Sequence, residues 1–214
     1  MKYELIVFDM DGTILDTLED LKNSMNYTLK LHNMPERTLD EIRSFVGNGI
    51  HRLIELAVVE GTCSEKIDEI HKDFMKHYEV HCADFTRPYN GVNDLIKTLR
   101  NRGYKTAVVS NKADAAVQDL CIQYFPGLFD LAIGERPEIA KKPAADMVNL
   151  ALEQLQVSKE NAVYIGDSDV DVATARNSNL DMIAVDWGFR TRKFLMEQGA
   201  ETIVSNPEEI LELV

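Results

Sequence analysis

Asp9 and Asp11 are the first residues whose types and spacing can do chemistry. They follow Leu5-Ile6-Val7-Phe8, and Gly12 breaks the run directly after them. Four consecutive apolar residues of strand-forming type predict a strand buried on both faces. Both carboxylates then fall at its carboxyl end, where ligands bind in open α/β sheets. Like charges one residue apart repel and raise a pKa, a cost that a divalent cation would relieve. The plain alternative is a strand that ends in a polar Asp-Gly turn. Three more polar groups stand at comparable places. Ser110-Asn111-Lys112 closes the strand-like run 105–109, Lys141-Lys142-Pro143 lies in a loop ahead of a helix, and Gly166-Asp167-Ser168-Asp169-Val170-Asp171 follows the strand-like run 162–165. Each has a structural reading as well. Hydroxyl residues cap helices, loop lysines are solvated, and acidic residues suit a helix start. Asp167, at a strand tip, and Asp171, a helical turn further on, are the pair that such a reading explains least.

The elements that would position these residues follow from hydrophobic periodicity. Leu18, Leu21, Met25 and Leu29 recur at helical spacing, with Asp16 or Thr17 as N-cap, and Asn33-Met34-Pro35 ends that helix. Thr38-Leu39-Asp40-Glu41 reads as a capping box opening a second helix. Ile50, Leu53, Ile54, Ala57 and Val58 mark a third, and Ile67, Ile70, Phe74 and Tyr78 a fourth. No convincing strand falls between about 18 and 85. From Pro88 onward the pattern changes. Helices are expected at 92–99, 113–123, 144–156, 169–177, 191–198 and 206–213, with strands at 104–110, 130–133, 161–165, 180–185 and 201–204. Pro143 is expected near the first turn of the 144–156 helix. Strands alternating with helices mean an α/β fold, a parallel sheet covered on both faces, with a helical insert directly after the first strand.

The chain of 214 residues carries a formal charge of −13, with 45% apolar and 28% charged residues. The composition is ordinary for a globular protein. The acidic balance opposes non-specific nucleic-acid binding, which needs a basic face. Cys63, Cys82 and Cys121 form no CxxC pair, so neither a zinc site nor a disulfide framework is indicated. A reducing cytoplasm is the simplest home. Asp9 interrupts the N-terminal apolar run too early for a signal peptide, and no stretch approaches the ~18 apolar residues of a membrane span. An anionic ligand would have to draw its positive charge from a metal, a few lysines or arginines, and backbone N–H groups.

Asp9-Met10-Asp11-Gly12-Thr13 resembles the first motif of the haloacid dehalogenase-like phosphohydrolases, Asp-x-Asp-Gly-Thr, and within them the phosphoglycolate phosphatase-like branch. Ser110 after its apolar run matches the second motif, Lys142 before Pro143 the third, with Lys141 as the fallback, and Gly166-Asp167 with Asp171 the fourth. The match covers nearly the whole chain. It implies a Rossmann-like core from 1–16 and 88–214, closed over by a four-helix cap from 17–87. It also implies a Mg²⁺-dependent phosphatase acting on a small phosphorylated metabolite, with no nucleic acid or membrane as partner. Asp9 would be the nucleophile that forms an aspartyl phosphate, and Asp11 the general acid/base. Ser110 would bond a phosphate oxygen, Lys142 would pair nucleophile and phosphate, and the N–H groups of Asp11 and Gly12 would cradle phosphate oxygens. Gly12 and Asn111 thus count as substrate-binding. The Asp9 side chain, the Asp11 main-chain carbonyl and Asp167 would bind Mg²⁺, with Asp171 in the outer shell.

Two departures from the family pattern are expected to matter little: Ala145 replaces the second Pro of Lys-Pro-x-Pro-Asp, and Ser178-Asn179 stands where Ala-Gly is common. Asn179 tolerates the left-handed conformation that Gly supplies. Asp11 separates the chain from dehalogenase relatives, which carry Tyr there, and from phosphonate hydrolases, which carry Ala. In the insert, Val46-Gly47-Asn48-Gly49 resembles the Val-Gly-x-Gly loop of the phosphoglycolate phosphatase-like branch. Gly47 and Gly49 either let that loop approach a substrate closely or make a plain turn, and Arg43, His51 and Arg52 are candidates for reading the leaving group. Trp187-Gly188-Phe189-Arg190 also resembles the branch, with Trp187 expected to pack. The alternatives are a β-phosphoglucomutase-like phosphotransferase or a pyrophosphatase of the same family, and more distantly a binding protein without turnover.

Overall fold

The computed structural model describes residues 2–214. The chain divides into two compact units, Met1–Leu15 with Pro88–Val214 and Asp16–Arg87. The first is built on a six-stranded sheet. Its strands are β1 (Leu5–Phe8), β4 (Lys105–Ala113), β5 (Leu131–Glu135), β6 (Ala162–Gly166), β7 (Asp181–Val185) and β8 (Ile203–Val204). They pair in the order β5-β4-β1-β6-β7-β8, parallel throughout. Two short strands, β2 (Leu15–Asp16) and β3 (Arg87–Pro88), pair where the chain passes between the units.

β1 is central, and all four of its residues are buried. Leu5 and Val7 join Ala107, Val109 and Tyr164 in one cluster with Met147, Val148, Ala151 and Leu152 of α7 (Asp146–Leu155). Burial on both faces is why its sequence is a continuous apolar run rather than an alternation. Each such side chain contributes roughly 1.5–3 kcal/mol of transfer free energy. Helices α5 (Val92–Asn101), α6 (Asp114–Tyr124), α8 (Asp169–Ser178), α9 (Arg192–Glu197) and α10 (Pro207–Leu213) complete the unit. Asn179 is left-handed (φ 56°) and closes α8, as expected.

The second unit contains α1 (Leu18–Leu31), α2 (Leu39–Phe45), α3 (Ile50–Ala57) and α4 (Ser64–His81). Its core holds Leu21, Met25, Leu29, Ile42, Ile54, Ile70 and Phe74. The Thr38–Glu41 capping box forms in full at α2. No described helix is long and apolar enough to cross a membrane.

Three local expectations change. Thr17 precedes α1, but its side chain caps nothing and its buried hydroxyl has no partner. Its backbone (φ −108°, ψ 2°) is not the extended form from which a side chain reaches the first turn. β4 does not end at Ser110 but runs to Ala113. Its pairing with β5 slips between Val109, opposite Ile133, and Ala113, opposite Glu135, so four steps on one strand face two on the other. α7 starts at Asp146 rather than 144. Asn111 holds both the N–H (2.9 Å) and the carbonyl (3.0 Å) of Lys142, which fixes the preceding loop outside the helix.

Candidate active site

Strand register brings the polar groups together. Phe8 lies level with Val108 on one side and Ile165 on the other. The next residues are Asp9 and Gly166-Asp167, at the carboxyl ends of β1 and β6, and Val109-Ser110 of β4, where its pairing with β5 begins to slip. The Asp9 N–H continues the ladder to the Ile165 carbonyl (2.8 Å). After β1 the chain goes to β4 on one side and β6 on the other, so this end of β1 is a topological switch point.

Lys142 is the hub. Its ammonium lies 2.8 Å from Asp9 Oδ1, 2.8 Å from Asp171 Oδ1 and 3.1 Å from the Tyr164 hydroxyl, and it is 3% exposed. Lys141 instead faces Glu135 at 3.6 Å with a half-exposed side chain, so the two adjacent lysines are unequal. Asn111, expected to touch substrate, spends both ends of its amide on the Lys142 backbone. It positions the lysine. The Ser110 hydroxyl is buried and accepts the Lys112 N–H at 3.2 Å.

Asp171 is saturated with donors. Oδ1 accepts from Lys142 and the Tyr164 hydroxyl (3.0 Å), and Oδ2 from the N–H groups of Asp167 and Ser168 and the Ser168 hydroxyl (2.6 Å). Asp167 accepts from the Thr13 hydroxyl (3.1 Å) and the Phe189 N–H (2.7 Å). Asp9, Asp167 and Asp171 each bring a carboxylate oxygen within 4.8 Å of the others. The Asp11 carboxylate is not in that group. It pairs with Lys112 Nζ at 3.0 Å.

Gly12 serves differently from expectation. Its N–H is already taken by the Leu15 carbonyl (2.9 Å), so it is not a phosphate donor. Its φ of 87° and its missing side chain are what the site needs: a Cβ there would meet Asp167 Oδ2 at 2.4 Å. Gly188 packs against the same carboxylate, where a Cβ would lie 2.2 Å from the Gly12 carbonyl oxygen and 2.4 Å from Asp167 Oδ2. The Trp187 indole donates to the Thr13 carbonyl (3.0 Å), tying this loop to the one after β1.

The charges are strongly coupled. Burial, then the Asp171 charge, pushes Asp9 well above the usual carboxylate range, against the pull of Lys142. Asp167 is raised to about 7 for the same two reasons. Burial alone would raise Asp171 as well, but Lys142, Ser168 and Tyr164 more than offset it and hold it low. Burial would lower Lys142, and the carboxylates of Asp171 and Asp9 instead raise it well above its ordinary value, so it stays charged. The chain's five histidines, at 32, 51, 71, 77 and 81, all lie in the helical unit.

Gly47, Gly49 and Arg52 also belong to the helical unit. Both glycines have positive φ, 127° and 85°, as the α2–α3 turn requires. Arg52 pairs with Glu55 one turn on (2.6 Å), Arg43 with Asp40 (2.7 Å), and His51 with Glu55 (3.3 Å). Among the site residues to which sequence reasoning gives no role are Tyr164, Lys112 and Gly188. Tyr164 reads as an ordinary core residue of a strand. Lys112 sits in a polar triplet whose strand was expected to stop at Ser110. The signal at Gly188 was a glycine in a strand-to-helix loop, which admits a close backbone approach.

The family model described as haloacid dehalogenase-like hydrolase matches residues 6–185. A phosphoglycolate phosphatase of Colwellia psychrerythraea is 31% identical over 97% of this chain and 95% of its own length. An N-acetylmuramic acid 6-phosphate phosphatase of Pseudomonas aeruginosa is 26% identical over 100% and 96%. A crystal structure from Lactobacillus delbrueckii, provisionally described as a phosphoglycolate phosphatase, superposes with a TM-score of 0.95 at 39% identity, covering 100% of this chain and 98% of that one. With a parallel sheet of this order and four motifs meeting at its carboxyl edge, the chain belongs to the haloacid dehalogenase-like hydrolase family, among its phosphatases.

Proposed function

We propose that the protein hydrolyses a small phosphomonoester through a phosphate ester of Asp9. The observation that carries this is the meeting of Asp9 with Lys142 at 2.8 Å inside a buried carboxylate cluster. Asp9 contacts gather on Oδ1, from Lys142 and the Met10 N–H (2.6 Å). Oδ2 is therefore assigned as the oxygen that attacks phosphorus. As the Asp9–phosphorus bond forms, the bond to the ester oxygen breaks, and Asp11 gives its proton to the departing alkoxide. The Asp11 carboxylate then takes a proton from the water that attacks phosphorus, and inorganic phosphate leaves with Asp9 restored. Lys142 holds Asp9 in place and neutralises charge on the transferring group, and the Ser110 hydroxyl donates to a phosphate oxygen.

The donor set fits a hard divalent cation. Three carboxylates share one buried locus, and burial and the charge of Asp171 drive two of them, Asp9 and Asp167, upward. Asp9, Asp167 and the Asp11 main-chain carbonyl would hold Mg²⁺, with Asp171, whose oxygens already take five donors, outside the inner sphere. The ion would supply charge neutralisation for carboxylate and phosphate together.

The helical unit, inserted between Leu15 and Pro88, is assigned the choice of leaving group. The residues that handle phosphate are blind to it, and relatives of similar resemblance are named for phosphoglycolate and for N-acetylmuramic acid 6-phosphate. Phosphoglycolate is the first substrate to try. The test is phosphate release from p-nitrophenyl phosphate and from a panel of phosphomonoesters, with Mg²⁺ and with excess chelator. Mg²⁺-dependent release supports the reading, and release unchanged in chelator, or none from any ester, contradicts it. Gly49→Val is expected to impair the preferred natural ester far more than p-nitrophenyl phosphate, and equal losses would remove the helical unit from substrate choice.

A further inference from the structure

Lys112 is a buried cation that the reaction scheme above does not use. Its side chain is 3% exposed, and its ammonium lies 3.0 Å from Asp11 Oδ1, across 101 residues of sequence. Burying an ammonium is costly unless a partner offsets it. The chain reaches this arrangement by an irregularity: the segment between Val109 and Ala113 leaves the β4–β5 ladder, and Lys112 stands within it. An apolar residue would fill the same space at no electrostatic cost, so the charge calls for an explanation beyond packing.

We propose that Lys112 is a positioning residue for Asp11. It holds that carboxylate apart from the Asp9–Asp167–Asp171 cluster, at the place where the leaving oxygen and the attacking water exchange a proton with it. The need is physical. Asp11 is two residues from Asp9, beside a locus built to gather carboxylates around a cation. A carboxylate drawn into that locus cannot carry a proton. A fixed cation on the opposite side offers Oδ1 a competing partner. The cluster of three carboxylates excludes Asp11, and the ion pair with Lys112 shows what retains it. An ammonium is a point charge with three donors, so it can keep hold of Oδ1 while the carboxylate turns. Lys112 exchanges no proton in this scheme.

The inference rests on the acid/base role proposed for Asp11, so the experiment separates the two. Steady-state kinetics with p-nitrophenyl phosphate and Mg²⁺ are compared for wild type, Lys112→Met, Lys112→Arg, Asp11→Asn and the double variant Asp11→Asn/Lys112→Met. Lys112→Met is expected to lower kcat by roughly 10- to 100-fold, below the full ~10²–10⁴ of general acid–base catalysis, with KM held within about 3-fold. Lys112→Arg should recover part of the loss. In the Asp11→Asn background, Lys112→Met should cost nothing further, because residues that act as a unit are non-additive. Losses that multiply in the double variant, a loss carried by KM, or an unchanged kcat in Lys112→Met would overturn the inference while leaving the acid/base reading in place. Full turnover by Asp11→Asn would overturn both. Should Lys112→Met fail to fold, Lys112→Gln takes its place in the same comparison.

Discussion

The two units of the molecule treat charge in opposite ways. In the sheet unit, the charged groups of the site are buried and held by partners distant in sequence. Lys142 reaches Asp9 and Asp171, Lys112 reaches Asp11, and Asp167 takes donors from Thr13 and Phe189. In the helical unit, most ion pairs join residues three or four apart in sequence, as in Arg43–Asp40, Arg52–Glu55 and Lys66–Glu69, and these three lie at the surface. Exposed pairs of that kind contribute about 0–1 kcal/mol. The difference teaches where each kind of change can be tolerated. The proposed chemistry sits where the charges of Asp9, Asp171 and Lys142 fix one another. In the helical unit, to which the choice of leaving group is assigned as a proposal, the surface pairs cost little to replace.

The largest expected effect follows from the nucleophile. Asp9→Asn keeps volume and removes the attacking carboxylate, so turnover should fall on the order of 10⁴–10⁶-fold, the scale seen when an enzyme loses its nucleophile. Circular dichroism should report an intact fold, and phosphate release near the wild-type rate would break the comparison at its centre. Lys142→Met comes next. It leaves Asp9 and Asp171 buried without their shared cation, and breaking a buried pair costs about 3–5 kcal/mol. A fall in Tm together with loss of turnover is expected, and a stable, inactive variant would mean that the network serves catalysis alone.

The pH dependence of the cation-free protein follows from Asp167, raised from 3.8 to about 7 by burial and by Asp171. Between those values the folded state binds more protons than the unfolded chain, so stability should fall as pH rises through this window. Urea titrations in chelator at pH 5 and pH 8 should show the lower midpoint at pH 8, and Mg²⁺ should restore it there with release of protons. A midpoint that rises over this range in chelator would contradict the assignment.

Asp20 sharpens the comparison from the other side, because it is a buried charge in the helical unit. Its carboxylate accepts from the N–H groups of Phe85 and Thr86 and from the Thr86 hydroxyl (2.7 Å), tying α1 to the segment after α4. Asp20→Ala should cost about 1.5–3 kcal/mol by chemical denaturation. Lys66→Met should be the smallest effect, within about 0.5 kcal/mol and without change in activity. A larger loss would mean that the surface pairs are not expendable.

The sequence carried most of this arrangement where one residue type has one job. The apolar run into Asp9 could be read as a buried strand, and Asp167 and Asp171 could be placed at a strand tip and a turn beyond, because run length and helical spacing are local signals. Lys142 could be preferred to Lys141 only through its place beside Pro143. What set it apart physically, the ring of Asp9, Asp171 and Tyr164, is long-range. The same reason hid Asn111's hold on the Lys142 backbone and Lys112's on Asp11, which span 31 and 101 residues. Gly12 was read as a phosphate donor because its amide lies beside the nucleophile. The Leu15 carbonyl that takes that N–H and the Asp167 carboxylate that fills the space of its side chain emerge only once the loop has closed.

The central claim is that phosphate passes through Asp9. Rapid acid quench of the enzyme turning over p-nitrophenyl phosphate labelled with ³²P, followed by peptide mapping, tests it most directly. The account predicts hydroxylamine-labile label on the peptide containing Asp9, lost in Asp9→Asn and accumulating when Asp11→Asn slows the water step. Label on a peptide that lacks Asp9, or label that persists in Asp9→Asn, would contradict it.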